Sequence, residues 1–380
     1  MKDRAELTRF AAEVGHRLKE TAERGAEGRV NRELVLALAR EGLPARLLPR
    51  EAGGSRDGKI SAVDLCAVRE ALARESTTVE NALTIQLLGA IPIVMAGNAE
   101  QRHRYLDPLI RGEAIGAFAL TEPDAGTDAG ALRLRADRDG EGYRLSGAKV
   151  FISNAPDADF YVMFARTDPD ARSKGITTFI VDGKAAGLKG TVLHVVSDHP
   201  IGRLELTNVA VSDASRLGEV NNGFRLAMQT LDLFRPSVGA NVIGMAQAAL
   251  DAAVAYASHR QAFGRPVKEF QAVSHQLAEA ATRLEAARAL VYSAADAYDR
   301  GDEHVARRSA MAKLFATETA QFVVDVSIQI HGAIALERGH LLEHLYREVR
   351  APRIYEGTSE IQREIIARDL FRSAAAHAPG

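Results

Sequence analysis

The sequence predicts an α+β protein of several domains: an N-terminal helical domain, a middle β-barrel or sandwich, and a C-terminal helical bundle of the four-helix type. Three patterns along the 380 residues predict this layout. Helical periodicity holds over residues 1–113, and short β-prone runs separated by Gly, Asp and Pro follow over 114–215. The helical period then returns over 216–380. We take these three ranges as the predicted domains.

The first range contains several predicted helices. Residues 82–95 are apolar on nearly all sides, which predicts a buried helix. A last helix is predicted over 99–110, with Gly112 as its stop signal. Cys66, the only cysteine, lies in another predicted helix and is expected to be buried. A single cysteine excludes an intramolecular disulfide and a thiolate metal cluster.

The middle range is predicted to form about seven short strands with turn residues between them, as in small barrels and sandwiches. The predicted strands are 114–120, 132–137, 143–152, 160–166, 176–181, 193–197 and 204–211. In the last range, long apolar stripes are joined by short polar links such as 299–302. This pattern is typical of an antiparallel helical bundle.

Composition restricts the partners. The formal net charge is −2 and no block of Lys or Arg stands out, so we expect no nucleic-acid partner. No apolar run reaches the roughly 18 residues that span a bilayer, so we expect no membrane partner. The start of the chain resembles no signal peptide, which predicts a cytoplasmic protein. The histidines show no metal-ligand spacing.

One stretch near the C-terminus, residues 353–363, combines features of a catalytic site. Glu356 stands next to Gly357, and Thr358 is a good N-cap for the helix predicted to follow. A carboxylate base and free backbone N–H donors would then lie together at a loop-to-helix junction. The alternative is an ordinary capped surface helix with an exposed glutamate.

A second stretch, residues 117–128, begins as a strand and ends as a loop rich in Pro, Gly and hydroxyl groups. Free N–H groups and hydroxyls there would suit the edge of a planar heterocycle. The alternative is an ordinary strand followed by a turn.

Four stretches resemble signatures of the acyl-CoA dehydrogenase family of flavoproteins. They are TEPDAGTD at 121–128, KVFISN at 149–154, RQAFG at 260–264 with Phe270-Gln271 after it, and YEGTSEIQ at 355–362. Their order and the helix–barrel–helix layout extend the resemblance over essentially the whole chain. It implies an FAD-dependent acyl-CoA dehydrogenase of fatty acid metabolism that makes a 2,3-enoyl-CoA. It also implies electron-transfer flavoprotein as the acceptor and a homotetramer or homodimer.

The resemblance assigns roles to individual residues. Glu356 would remove the proton next to the thioester carbonyl, and its backbone N–H would hold the carbonyl oxygen together with a flavin ribityl hydroxyl. The implied FAD contacts are Phe118, Leu120, Thr121, Thr127, Phe151, Ser153, Arg260, Phe263, Gln271, Gln329, Gly332, Thr358 and Glu360, those from 260 to 332 reaching across a subunit boundary. The implied substrate contacts are Thr127, Asp232, Arg235 and Gly357.

Several alternatives stay open at this point. Asp232 and Arg235 could form a plain helical ion pair, Arg260 could be a surface charge, and Phe151 a core aromatic. The whole protein could be a flavin oxidase, a specialised acyl-CoA desaturase or desulfinase, or a non-catalytic acyl-CoA-binding helical protein. Two departures from the family pattern are Ala333 and Ala335, which stand where many relatives have glycine.

The position at which some members of the family place the base is Phe234 here. A phenylalanine cannot accept a proton. Glu356 is therefore the candidate base that matches the family pattern.

Overall fold

The structure is a computed structural model that describes residues 2–376. Two compact units divide the chain. The first unit comprises Met1–Arg17, Ser61–Glu80 and Asp232–Gly380, and the second comprises Leu18–Ile60 and Asn81–Leu231. The predicted order of helical, β and helical regions is confirmed. The domain boundaries at 113 and 215 stay predictions.

The described residues contain thirteen α-helices. They are α1 (Lys2–Arg17), α2 (Lys19–Glu23), α3 (Arg32–Arg40), α4 (Leu43–Leu47), α5 (Ala62–Glu75), α6 (Thr77–Ala96), α7 (Ala99–Gln101), α8 (Asp107–Ile110), α9 (Gly223–His259), α10 (Gln271–Asp299), α11 (Val305–His331), α12 (Leu341–Arg350) and α13 (Ser359–Ala376). A π-helical turn, Arg102–Leu106, joins α7 to α8. The helix expected over 99–110 is therefore present with an irregular middle.

The first unit is a helical bundle in which α10 packs against α11, and α11 against α12 and α13. Glycines allow two close approaches by α9. A Cβ at Gly239 would lie 2.6 Å from Val291 of α10, and one at Gly244 would lie 2.3 Å from the Glu70 carbonyl of α5. The predicted link at 299–302 joins α10 to α11, and Cys66 is buried as expected.

Helix α9 contains Pro236 in its interior, close to the residues expected to bind substrate. Proline lacks an N–H, so the carbonyl four residues earlier, at Asp232, loses its helical donor. The Ser309 hydroxyl of α11 donates to that carbonyl instead, at 3.3 Å. A side chain of the neighbouring helix thus compensates for the proline and ties α11 to this part of α9.

The second unit contains an eight-stranded sheet. Its strands are β1 (Gly116–Ala119), β2 (Arg135–Asp139), β3 (Gly142–Ser153), β4 (Phe160–Arg166), β5 (Ile176–Asp182), β6 (Leu188–Val192), β7 (Ile201–Ser212) and β8 (Arg216–Leu217). The order is β6-β7-β3-β2-β4-β5-β8, with β1 parallel to β4. Buried side chains such as Tyr161, Met163 and Phe179 form its core.

One predicted strand is wrong. Residues 193–197 form no strand, and the edge strand β6 lies just before them. Val195 and Val196 are exposed, so their β-branched side chains do not mark a buried strand. The short strand β8 was not predicted. The other six predicted strands are found, with ends that differ by up to three residues.

The expectation that no apolar segment could span a bilayer is also wrong by length and composition. Three helical runs of the described chain meet both criteria: Thr77–Ala96, Gly223–His259 and Val305–Leu336. A few polar residues interrupt each of them, so a search for uninterrupted apolar runs misses them. The most apolar windows of the first two are 72% and 67% buried inside the fold, and that of the third is 39% buried.

Candidate active site

Glu356 lies at the junction between α12 and α13, as predicted. Thr358 caps α13, because its Oγ1 accepts a hydrogen bond from the Ile361 N–H at 3.4 Å. Glu356 and Gly357 have φ angles of 54° and 92°. A glutamate in the left-handed region is uncommon, and strained backbone of this kind is concentrated at functional sites.

Three buried side chains hold the two carbonyls of this loop. Gln362 Nε2 donates to the carbonyls of Glu356 and Gly357, at 3.1 and 2.9 Å. Lys313 Nζ donates to the Gly357 carbonyl at 2.6 Å, and Arg235 Nε makes a longer contact of 3.4 Å to the Glu356 carbonyl. Among residues 2–376, we find no acceptor for the Glu356 N–H. The loop is thus fixed through its carbonyls and leaves that donor available.

Glu356 is half-buried, and its carboxylate is incompletely hydrogen-bonded. Its Oε2 is shielded from solvent and has no hydrogen-bond partner. Burial raises the pKa of Glu356, while the positive charges of Arg69, Lys313 and Arg235 act against that rise and Glu80 adds to it. A carboxylate with a raised pKa and a free oxygen is suited to accept a proton from carbon.

Asp232 and Arg235 form the ion pair that the sequence left open, with Arg235 Nη1 2.7 Å from Asp232 Oδ1. The pair is not an ordinary surface pair, because the Arg235 side chain is only 7% exposed and also reaches Glu356. Burial raises the pKa of Asp232, and Arg235 opposes that rise. Phe234 between them is fully buried.

In the second unit, Lys149 and Glu122 connect the two sequence motifs in which they lie. Lys149 Nζ donates to the Leu120 carbonyl and to Glu122 Oε1, both at 2.9 Å. The Glu122 carboxylate also accepts the N–H groups of Arg133 and Leu134, at 2.5 and 2.9 Å. Lys149 and Glu122 are buried, so this pairing is internal and fixes the loop that follows β1.

Two residues after Lys149, strand β3 exposes the aromatic ring of Phe151. Its register against β7 shifts between Lys149 and Ile152, and Phe151 there has a φ of 55° and is 62% exposed. Bulges of this kind re-aim side chains. The alternative that Phe151 is a core aromatic is therefore wrong. Ser153 and Thr121 are half-buried.

The other predicted contacts in this unit vary in exposure. The Phe118 ring is half-buried and packs against Phe164 at 4.9 Å, Leu120 is buried, and Thr127 is exposed. An exposed ring flanked by hydroxyls and an apolar surface fits a flat heterocycle with a polar edge. The residues present therefore fit the flavin ring of FAD.

The remaining predicted FAD contacts lie in the first unit. A two-stranded hairpin pairs β9 (Gln261–Ala262) with β10 (Arg265–Pro266). Its tip residues, Phe263 and Gly264, both have positive φ, and Phe263 is 95% exposed. Arg260, Gln271, Gln329, Gly332 and Glu360 are exposed as well, and Thr358 is half-buried.

The two missing glycines do not disrupt the chain. Ala333 and Ala335 lie in a 3₁₀ turn, Gly332–Leu336, that follows α11. Gly332 has φ 71° and ψ −151°, a conformation essentially restricted to glycine, and glycine is retained there. Ala335 is fully buried, so its Cβ is accommodated.

Sequence reasoning missed four residues around Glu356: Lys313, Gln362, Arg69 and Glu80. Lys313 and Arg69 each lie within the apolar pattern of a helix, where a charge predicts burial with a partner. Gln362 belonged to a recognised motif but had received no role. A charge at a core position was the available signal, and it was not used.

Comparisons with known proteins agree with this architecture. Family models for the N-terminal, middle and C-terminal domains of acyl-CoA dehydrogenase match residues 3–113, 117–209 and 221–371. A 3-(aryl)acrylate reductase of Clostridium sporogenes is 42% identical over 346 residues, which are 90% of each chain. The caffeyl-CoA reductase-Etf complex subunit CarC of Acetobacterium woodii is 37% identical over 352 residues, 91% of each chain.

Among solved structures, butyryl-CoA dehydrogenase of Megasphaera elsdenii is similar with a TM-score of 0.92 and 33% identity. The match covers 98% of this chain and 99% of that one. The chain belongs to the acyl-CoA dehydrogenase family, and it is an FAD-dependent oxidoreductase that acts on CH–CH bonds.

Proposed function

We propose that this enzyme dehydrogenates acyl-CoA thioesters between the α and β carbons, with Glu356 as the base. The observation that carries this proposal is the Glu356 loop itself. It offers a carboxylate with a raised pKa, an Oε2 that is shielded from solvent and unpaired, and an available N–H on the same residue. Chain length and branching of the acyl group are left open.

In the proposed reaction, Glu356 takes the α-proton, and the electron pair of that C–H bond moves into the forming double bond. The Glu356 N–H donates to the thioester oxygen, where negative charge develops. A fixed donor of this kind contributes about 3 kcal/mol to transition-state stabilisation in related sites. When bound, FAD accepts the β-hydrogen as hydride. The product is a 2,3-enoyl-CoA, and the proton remains on Glu356.

The flavin is proposed to contact Phe118, Leu120, Thr121, Phe151 and Ser153 of the second unit. Exposure of the ring of Phe151 and the bulge that presents it support this assignment. Thr127, on the exposed loop, is proposed to contact both flavin phosphate and substrate.

A second copy of the chain is proposed to complete the cofactor site, in a homotetramer or homodimer. Its contribution would come from Arg260, Phe263, Gln271, Gln329 and Gly332. Support comes from their exposure, and above all from the 95% exposed ring of Phe263 at the tip of the hairpin. Thr358 and Glu360 are proposed as further FAD contacts at the start of α13.

Asp232, Arg235 and Gly357 are proposed to contact the acyl-CoA. The position of Arg235, between Asp232 and the Glu356 carbonyl, supports this. Electron-transfer flavoprotein is proposed as the electron acceptor, because one relative is a subunit of an Etf complex. A role in fatty acid metabolism and a cytoplasmic location are further proposals from the sequence.

A second candidate is the same chemistry in reverse. Both of the relatives described above carry reductase in their names, one for 3-(aryl)acrylate and one for caffeyl-CoA. In that direction, a protonated Glu356 would return a proton to the α-carbon. The raised pKa of Glu356 serves both directions, so the structure of the site alone favours neither.

The experiment is anaerobic flavin bleaching with a panel of saturated, branched, cyclic and aryl acyl-CoA thioesters, and the reverse assay with reduced flavin and enoyl-CoA thioesters. We expect at least one saturated thioester to bleach the flavin and give the enoyl product. Glu356→Gln should slow bleaching about 10³-fold or more, because the base is lost. Glu364→Gln, an exposed glutamate of α13, is the control and should leave bleaching unchanged.

Reoxidation of the reduced flavin by an enoyl-CoA, with no bleaching by any saturated thioester, would replace the first candidate by the second. Unchanged bleaching in Glu356→Gln would remove Glu356 from the mechanism. Rapid reoxidation of the reduced flavin by oxygen, instead of by electron-transfer flavoprotein, would favour the oxidase alternative.

A further inference from the structure

A buried ion pair lies in the first unit between α5 and α6. Arg69 Nε donates to Glu80 Oε1 at 2.5 Å, and the two side chains are 3% and 0% exposed. Arg69 Nη1 donates to Ser237 Oγ at 2.8 Å, and Asn241 Nδ2 donates to Glu80 Oε2 at 2.8 Å. Removing both charges from water is costly, and apolar residues of similar volume often stabilise a fold as well or better. Stability alone therefore does not account for the pair.

The pair belongs to the surroundings of Glu356. Charged groups from four helices act on the Glu356 carboxylate: Arg69 on α5, Glu80 on α6, Arg235 on α9 and Lys313 on α11. Arg235 and Lys313 also contact the carbonyls of Glu356 and Gly357. Arg69 exerts the largest effect of the four, and Glu80 is the one that acts in the opposite direction. Arg69 therefore lowers the pKa of Glu356, and Glu80 raises it.

Hydrogen bonds hold the pair in one orientation. Ser237 accepts from Arg69 and itself donates to the Phe234 carbonyl at 2.7 Å, in the turn of α9 next to Arg235. The Asn241 side chain donates to Glu80 through its Nδ2, and its Oδ1 is buried without a partner. The Arg69 guanidinium also lies 6.0 Å from the centre of the Phe234 ring. Both charges are thus held inside the fold by these contacts.

We propose that Arg69 is a positioning residue whose charge, balanced by Glu80, sets how readily the Glu356 carboxylate takes the α-proton. This inference rests on the proposed function. Arg69 alone would keep Glu356 ionised but would make it a weaker base, and Glu80 restores part of its basicity. The buried pair is therefore a tuning device for the base, acting through its field and not through contact with substrate.

The test is the pH dependence of flavin reduction at saturating acyl-CoA in charge-neutral variants of the pair. In Arg69→Gln the apparent pKa of the base should rise by about 1 unit, since a cation is lost and Glu80 is left unbalanced. In Glu80→Gln it should fall by about 1 unit. The double variant should return close to the starting value. If the pair had only a structural role, the two single variants would not shift the apparent pKa in opposite directions, and the double variant would not restore it.

The matched control is Arg74→Gln on the same helix. Arg74 pairs with Asp251 at 2.7 Å on the surface, so its loss should leave the pH profile unmoved. If Arg69→Gln does not fold, Glu80→Gln and the double variant still carry the test, because the double variant leaves no unpaired buried charge.

A second readout does not depend on turnover. Infrared difference spectra of the FAD-loaded protein without substrate, taken against Glu356→Gln, report protonation of the Glu356 carboxyl directly. The pH midpoints of Glu356 protonation should follow the same order as the apparent pKa values from flavin reduction, with Arg69→Gln highest and Glu80→Gln lowest.

Midpoints that move in the same direction in both single variants, or in neither, would overturn the inference. If no thioester reduces the flavin of the unaltered enzyme, the proposed function fails by itself. The infrared titration then still decides whether the pair controls Glu356.

Discussion

The two units each contain a glutamate near a buried lysine, but the two glutamates are hydrogen-bonded to different degrees. In the second unit, the Glu122 carboxylate accepts hydrogen bonds from Lys149 and from two backbone N–H groups. In the first unit, Glu356 Oε2 has no partner, and Lys313 donates to a neighbouring carbonyl instead. Both lysines have a pKa lowered by burial to about 8.

The comparison distinguishes a glutamate that stabilises the fold from one that is able to take part in a reaction. A fully hydrogen-bonded carboxylate organises the chain around it, as Glu122 does for the loop after β1. A carboxylate that is enclosed yet unpaired costs stability and is free to react. Recognition of a motif does not distinguish these cases, because Glu122 and Glu356 both lie in family signatures.

Glu122→Gln tests the structural member of the comparison and has the largest expected effect on stability. Lys149 would lose its counter-charge, and an amide cannot accept all the present hydrogen bonds. Breaking one partner of a buried pair costs about 3–5 kcal/mol. Urea unfolding of the holoprotein at neutral pH measures it. Glu113→Gln, which loses an exposed pair with Arg111, is the control and should leave unfolding unchanged. A Glu122→Gln curve that coincides with this control would contradict the structural role.

Gly357→Ala tests the strained loop that carries the base. An added Cβ would lie 2.6 Å from Gln362 Nε2, and φ is 92°. We expect a loss of about 2–3 kcal/mol in unfolding free energy and slower flavin bleaching. Gly301→Ala has a φ of 70° with nothing within 4 Å, so it reports the backbone strain alone. Equal losses in both variants would mean that the Gln362 contact is unimportant.

Lys313→Met tests the buried lysine of the first unit through the pH dependence of the unfolding free energy. Below its lowered pKa of about 8, the buried ammonium of Lys313 destabilises the fold. As pH rises, the folded protein releases this proton before the unfolded chain does, so the stability contributed by Lys313 rises with pH. Between about pH 7.5 and about pH 9.5, unfolding free energy of the unaltered protein should gain about 2 kcal/mol relative to Lys313→Met. A constant difference across this window would show that Lys313 titrates normally.

Much of the fold was predictable because its signals are local. Periodicity located the long helices α9, α10 and α11, and short β-prone runs between turn residues located β4 and β5 almost to the residue. Strand β6 was missed because it is an edge strand without a buried face, whereas the exposed Val195 and Val196 beside it carry high β-propensity.

The candidate site was predictable only in part. Glu356, Gly357 and the Thr358 cap follow from the order of residues in one stretch. The network around them does not, since Arg69 and Lys313 are distant in sequence. Their places in apolar helix patterns indicate burial, but the partners they meet depend on how α5 and α11 pack in the first unit.

The most direct test of the central claim measures two properties of one sample of Glu356→Gln: its unfolding free energy at neutral pH and its rate of anaerobic flavin bleaching by acyl-CoA. Burial raises the pKa of Glu356, so its ionised form opposes folding at neutral pH, and the neutral amide removes that penalty. We predict a variant that keeps FAD, is at least as stable as the unaltered enzyme, and has lost bleaching. A variant that is less stable and still bleaches would contradict the account.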